Sequence, residues 1–266
     1  MSVIVLPFFE SSSGSYSFIV ANPESKCCAF IDAALGVTEG AADGQSLNTH
    51  CADLMLDWVA AHDYVVRWIL DTHVHADRPS AAGYLKSRLL CAQTAIGADM
   101  PGISGYDRLL VEGDKLCLDH ACGRVLATPG HTPGCVSYQF DDAVFVGDTL
   151  FMPDAGTARC DFPGGCPRRL YRSIQRLLSL PDEMRLYVCH DYGGERRHRY
   201  VTTVGEEKQH NVHVGEQRCM DDFVALRVKR DRALDEPKWQ HIAIPANLHC
   251  MNLGGIQSLL MQTADG

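Results

Sequence analysis

Thr72-His73-Val74-His75-Ala76-Asp77-Arg78 is the stretch on which the reading of this chain turns. It places two imidazoles, a carboxylate and a guanidinium directly after an apolar run, Val65–Leu70. Such a run reads as a buried strand, so the polar cluster stands at a strand end. Three more clusters follow predicted strands in the same way. Thr128-Pro129-Gly130-His131-Thr132-Pro133-Gly134 follows residues 125–127, Gly147-Asp148-Thr149 follows 143–146, and His190-Asp191-Tyr192 follows 186–189. Rigid strand ends can bring four such clusters to one rim while loops supply substrate contacts. Neutral imidazoles with a carboxylate and no thiolate suit Fe(II), Zn(II) or Mn(II). Glycines around His131 allow a sharp turn, and Pro129 and Pro133 stiffen it. Any one cluster arises easily by chance among 12 histidines; the ordered combination is the specific signal.

Residues 3–6 and 16–20 read as a hairpin around a Ser/Gly-rich turn, and 28–31 as a third strand. Residues 36–46 are Gly/Ala/Asp-rich and read as a loop. Helices are expected over 48–62, 81–90, 168–180, 201–210 and 221–234. Strands are expected over 109–111, 116–118, 125–127, Val136–Phe140, 143–146 and 186–189, and a terminal one at 242–244. This order fits an α+β chain, a four-layer αββα sandwich, better than a doubly wound sheet. No GxGxxG follows the first strand and no GxxxxGK[ST] occurs. A single domain over residues 1–266 is expected, with 201–266 a C-terminal extension of helices and a strand packed on it.

The 266 residues carry 24 basic and 33 acidic side chains, a net charge of −9. That balance disfavours nucleic acid as a partner. No apolar run reaches the ~18 residues of a membrane span. The opening MSVIVLPFFE lacks a basic segment of the secretory type, so a cytoplasmic location is expected. The 12 cysteines are scattered without a CxxC pair and are expected to be mostly reduced, buried thiols.

The motifs HxHxD at His73–Asp77, PGHTPG at Pro129–Gly134, Gly147-Asp148 and His190-Asp191 together resemble the metallo-β-lactamase superfamily in identity, order and spacing. Gly147–Phe151, Ala158–Phe162, Leu170–Ser173, His190–Tyr192 and Ile244-Pro245-Ala246-Asn247 resemble its persulfide dioxygenase (sulfur dioxygenase) branch, in particular the bacterial β-lactamase-like hydrolases. The resemblance implies an enzyme: a non-haem dioxygenase that oxidises glutathione persulfide, or a similar small persulfide, with O₂ to sulfite and thiol in sulfide detoxification. It implies one Fe(II) per chain held by His73, His131 and Asp148 as catalytic ligands, with zinc as an alternative metal. His75, Asp77, Arg78 and His190 would surround that set, His75 serving as a direct ligand in zinc relatives. Arg159 and Tyr192 would contact substrate, and relatives of this branch are often homodimers. The chain departs from the family's HxHxDH at Arg78, where two-metal relatives carry a histidine ligand. A guanidinium has no lone pair to offer and repels a second cation, so a salt bridge to Asp77 is expected instead. The alternatives are a glyoxalase II-like zinc thioester hydrolase and a weakly active metal-binding or sulfur-sensing relative.

Overall fold

A computed structural model of the chain describes residues 3–40, 44–192, 196–216 and 218–264. The first half carries β1 (Ile4–Glu10), β2 (Ser15–Asn22), β3 (Cys27–Ile31), β4 (Gly36–Gly40), β5 (Gly44–Asn48), α1 (His50–Ala61), β6 (Val65–Leu70), α2 (Ala82–Arg88), β7 (Gln93–Gly97) and β8 (Arg108–Leu110). The second carries β9 (Lys115–Leu118), β10 (Ala121–Ala127), β11 (Val136–Phe140), β12 (Ala143–Phe145), α3 (Pro167–Leu178), β13 (Arg185–Tyr187), β14 (Val201–Thr203), α4 (Val204–His210), α5 (Met220–Asp231), α6 (Gln240–Leu248) and α7 (Leu253–Ala264).

Two six-stranded sheets result, in the orders β1-β2-β3-β6-β7-β8 and β14-β13-β12-β11-β10-β9. The first turns from antiparallel to parallel at β3, because α1 and α2 carry the chain back over its outer face. The second is antiparallel except where α3 connects β12 to β13. The period of two along β2 shows why the layers stack. Tyr16, Phe18 and Val20 enter the core between the sheets, while Ile19 and Ala21 face the helical layer. Both faces are covered, so all of β2 is buried. The inter-sheet core pairs Phe18, Ile31 and Leu70 with Val125, Tyr138 and Phe145. One outer core packs Met55 and Val59 of α1 and Ile242 and Ala246 of α6 on the first sheet. The other packs Leu170, Ile174 and Leu177 of α3 and Phe223 of α5 on the second. The chain thus has the metallo-β-lactamase fold, helix, sheet, sheet, helix. Each fully buried Leu, Ile or Phe contributes roughly 1.5–3 kcal/mol to that stack.

Four local expectations change. Residues 36–46 are not a loop: β4 and β5 pair in a hairpin, with Thr38 Oγ1 2.8 Å from Ser46 Oγ across it. The tip at 41–43 lies outside the described residues. The first three residues of 201–210 form edge strand β14, and the helix starts only at Val204, where Thr203 Oγ1 accepts the N–H of Glu206. The terminal strand at 242–244 is instead part of helix α6, with Pro245 inside it. Its Ile242, Ala243 and Ala246 share one buried face, a helical spacing that the β-branched residues disguised. Finally, Cys117 and Cys122, directly opposite on β9 and β10, form a disulfide rather than remaining thiols. Among the other cysteines Cys91 and Cys219 are exposed, while Cys27, Cys28, Cys51, Cys135, Cys160 and Cys189 are buried.

Candidate metal centre

The loops after β6, β10, β12 and β13 meet at one rim of the sandwich. His73 comes from the first sheet, and His131, Asp148 and His190 from the second. One donor atom each of His73, His131 and Asp148 lies within 4.8 Å of the others. His73 Nε2 and His131 Nε2 stand 3.8 and 3.7 Å from Asp148 Oδ2.

Hydrogen bonds decide which ring nitrogens are free. Thr72 Oγ1 donates its single proton to Asp32 at 2.9 Å, so it accepts from His73 Nδ1 at 3.0 Å. His131 Nδ1 lies 2.7 Å from the carbonyl of Arg159, which can only accept. Both rings therefore carry the proton on Nδ1 and turn a lone pair on Nε2 toward Asp148. His73 Nε2 and Asp148 Oδ1 are buried with no hydrogen-bond partner among the described residues. Burial, and then the neighbouring His75 and His131, hold His73 well below its ordinary pKa and hence neutral. Two imidazoles that face Nε2 inward and a carboxylate with an unpartnered oxygen fit a divalent cation of the iron or zinc type.

Local sequence explains this placement. Gly147, just before Asp148, has φ +52° and abuts Thr72, where any Cβ would collide with Thr72 Oγ1. The Gly-Asp pair thus holds Asp148 against the strand end that carries His73. Of the glycines flanking His131, only Gly130 has a positive φ, and a Cβ there would lie 2.3 Å from the backbone of Leu170 in α3.

His75 lies beside His73, their ring centroids 4.1 Å apart. Its Nε2 donates to Asp32 Oδ1 at 3.1 Å, which leaves Nδ1 as a buried lone pair without a partner among the described residues. Arg78 is 1% exposed. Its Nη1 stands 3.3 Å from Asp77 Oδ2 and 3.4 Å from His190 Nε2, and its Nη2 donates to Cys189 Sγ at 3.2 Å. His190 Nε2 is in turn 3.5 Å from Asp77 Oδ2 and 3.7 Å from Asp148 Oδ1. The expected Arg78–Asp77 ion pair is therefore present, and the guanidinium lies among the groups that a second cation would need. Burial, the largest single effect, pushes the Asp77 carboxyl up, but the Arg78 charge together with His190 and His75 outweighs it and the pKa falls to about 2.

Arg159 and Tyr192 both line a cavity of about 560 Å³ that also exposes His131, Asp148 and His190. The Arg159 fork, expected to grip a substrate carboxylate, is already held by Asp161 through two 2.6 Å bonds, with Nη1 on the carbonyl of Asp235. Tyr192 is 66% exposed and stacks on His190 with its ring nearly parallel. Sequence reading missed Asp32, which ties Thr72 and His75 together; its only signal was an Asp at the end of a strand. It also missed Phe151 and Phe162, whose rings meet His190 and His131 edge-on. Arg230, which lines the cavity and makes no ion pair among the described residues, was missed as well. No helix among the described residues is long and apolar enough to cross a membrane.

Comparison with known proteins places these features in a family. Residues 124–190 match the Metallo-beta-lactamase superfamily. The chain is 42% identical to the Probable metallo-hydrolase BURPS1710b_2304 of Burkholderia pseudomallei (strain 1710b), over 92% of each chain. It is 41% identical to the Beta-lactamase hydrolase-like protein of Agrobacterium fabrum, of whose length it spans 59%. It is 30% identical to Persulfide dioxygenase ETHE1, mitochondrial, of Mus musculus, over 93% of this chain and 89% of that protein. The crystal structure of ETHE1 from Myxococcus xanthus superposes with a TM-score of 0.80 at 33% identity, covering 93% of this chain and 99% of that one. The chain belongs to the metallo-beta-lactamase superfamily, with persulfide dioxygenases among its relatives.

Proposed function

We propose that this protein is a one-iron persulfide dioxygenase. The observation that carries the reading is Arg78: its guanidinium stands where a second cation would bind, beside a compact trio of two imidazoles and one carboxylate. A single-metal centre suits O₂ chemistry, whereas clamping water between two metals suits hydrolysis. The likeness to persulfide dioxygenases over most of the chain supports the same reading.

The balanced reaction is persulfide (RSSH) plus O₂ plus water giving thiol (RSH), sulfite and two protons. The S–S bond breaks, the outer sulfur loses four electrons, and O₂ accepts them. Ferrous iron, held by His73, His131 and Asp148, would supply the open positions and electron transfer that let O₂ react with sulfur. The remaining work falls to the chain. Thr72 and the Arg159 carbonyl keep both ligand rings in the binding tautomer. Phe151, Phe162 and Tyr192 wall the cavity and limit water around the reacting sulfur. His190 Nε2 accepts from Arg78 Nη1 at 3.4 Å, which holds this ring in the cavity wall beside Asp77. A cavity of about 560 Å³ accommodates a glutathione-sized carrier. In this reading the protein works in the cytoplasm as a single domain, with small molecules as its partners.

The free lone pair on His75 Nδ1 favours a second reading, a zinc thioester hydrolase of glyoxalase type. Anaerobic iron loading followed by O₂ uptake with glutathione persulfide separates the two. One iron per chain, sulfite formation and loss of both in Asp148→Ala are expected. Two zincs per chain with cleavage of an acyl-glutathione thioester would defeat the dioxygenase.

A further inference from the structure

The loop between β6 and α2, residues 71–80, carries His73, His75, Asp77 and Arg78, and it is closed at its base. Ser80 Oγ, with one proton to give, lies 2.9 and 2.8 Å from the two carboxylate oxygens of Asp71. Tyr106 OH lies 2.8 Å from Asp71 Oδ2 and 3.0 Å from the carbonyl of Asn247. Asn247 comes from α6, more than 160 residues along the chain, and is 2% exposed. Its Oδ1 accepts the N–H of Ser80 at 2.6 Å. Its Nδ2 donates to the carbonyls of His75 at 2.8 Å and of Arg78 at 2.9 Å. Those partners fix the amide's orientation, because a backbone N–H only donates and a carbonyl only accepts. The two carbonyls bracket Ala76 and Asp77, so one side chain holds both ends of the segment that turns Asp77 toward the cavity and Arg78 beneath it.

We propose that Asn247 is a positioning residue for the metal centre. Acting through the carbonyls of His75 and Arg78, it fixes the loop so that the His73 ring faces Asp148 and the Arg78 guanidinium stays between Asp77 and His190. This rests on the reading of His73, His131 and Asp148 as metal ligands. The final helices are therefore part of the centre's construction, although none of their residues belongs to the ligand trio.

The test uses the full chain with Co(II) as probe, its affinity read by chelator competition and its coordination by visible absorption. Asn247→Asp keeps the shape and the acceptor for Ser80 but cannot donate to both carbonyls. It is expected to weaken Co(II) binding roughly 10–100-fold and to change the Co(II) spectrum. Leu177→Ala, in the outer core beneath α3, lowers Tm without touching the loop and keeps wild-type affinity and spectrum. Wild-type affinity and spectrum in Asn247→Asp overturn the proposal even if Tm falls. If that variant does not fold, the same result in Asn247→Ser, whose short hydroxyl cannot donate to both carbonyls, overturns it. A wild-type chain that binds no Co(II) overturns both this proposal and the metal reading, whereas binding unchanged by the substitutions overturns this one alone.

Discussion

A guanidinium and a divalent cation compete for the same donors at the position of Arg78. Asp77 and His190 flank it, and its Nη2 meets Cys189 Sγ and the Asp32 carbonyl. Planar and permanently charged, Arg78 satisfies that pocket without coordinating anything. Arg78→His restores a lone pair and removes the charge, so the variant is expected to bind two divalent ions per chain where wild type binds one. Elemental analysis after dialysis against excess metal checks this; a ratio that stays at one would show that Arg78 is not what excludes the second ion. Arg78, Asp77 and the trio were legible because each belongs to a short motif. Asp32 was not, because its importance comes from Thr72 and His75, about 40 residues on, and from a left-handed backbone with φ +50° that no local pattern announces.

Elements were legible where one periodicity dominates. Strand β6 matches its apolar run, and the buried face of α3 carries the predicted Leu170, Ile174, Leu177 and Leu178. They were illegible where composition masks pairing, as in the Gly-rich β4–β5 hairpin, or where tertiary packing overrules propensity, as in α6 with its internal proline. Helix α4 holds a group that motif reading had no reason to select. Glu207 is fully buried, and its Oε2 accepts from Asn211 Nδ2 at 2.6 Å. Burial pushes its pKa from 4.5 up to about 8, only partly offset by that hydrogen bond. Between those values the folded chain keeps a proton that the unfolded chain releases, so this contribution to stability is lost as pH rises through the window. Glu207→Gln keeps the acceptor and removes the titration. Its Tm advantage over wild type is expected to grow from pH 5 to pH 9, at about 1.4 kcal/mol for each unit of pKa displacement. A Tm difference that stays flat across that range would sink the assignment.

At the scale of the molecule, the donor trio bridges two sheets that also meet through apolar packing and through hydrogen bonds such as Tyr138 OH to the Asp71 carbonyl at 2.6 Å and Trp68 Nε1 to the Cys117 carbonyl at 3.2 Å. His73 follows β6 of one sheet, and His131 and Asp148 follow β10 and β12 of the other. A cation binding all three therefore ties the layers together only in the folded chain, because unfolding disperses donors that lie 58 and 17 residues apart in sequence. Stabilisation then follows from mass action: at a free metal concentration one hundred times Kd it amounts to about 2.7 kcal/mol. For a chain of this size that is a rise in Tm of roughly 5–10 °C between the metal-free and loaded protein. Chelation reverses it, and re-addition restores it. His73→Ala is the decisive variant, because it removes the only member of the trio contributed by the first sheet while His131 and Asp148 stay in place. The metal-dependent rise is expected to disappear in that variant. If the rise survives there at full size, the cation sits elsewhere and the sheets are not joined through this trio.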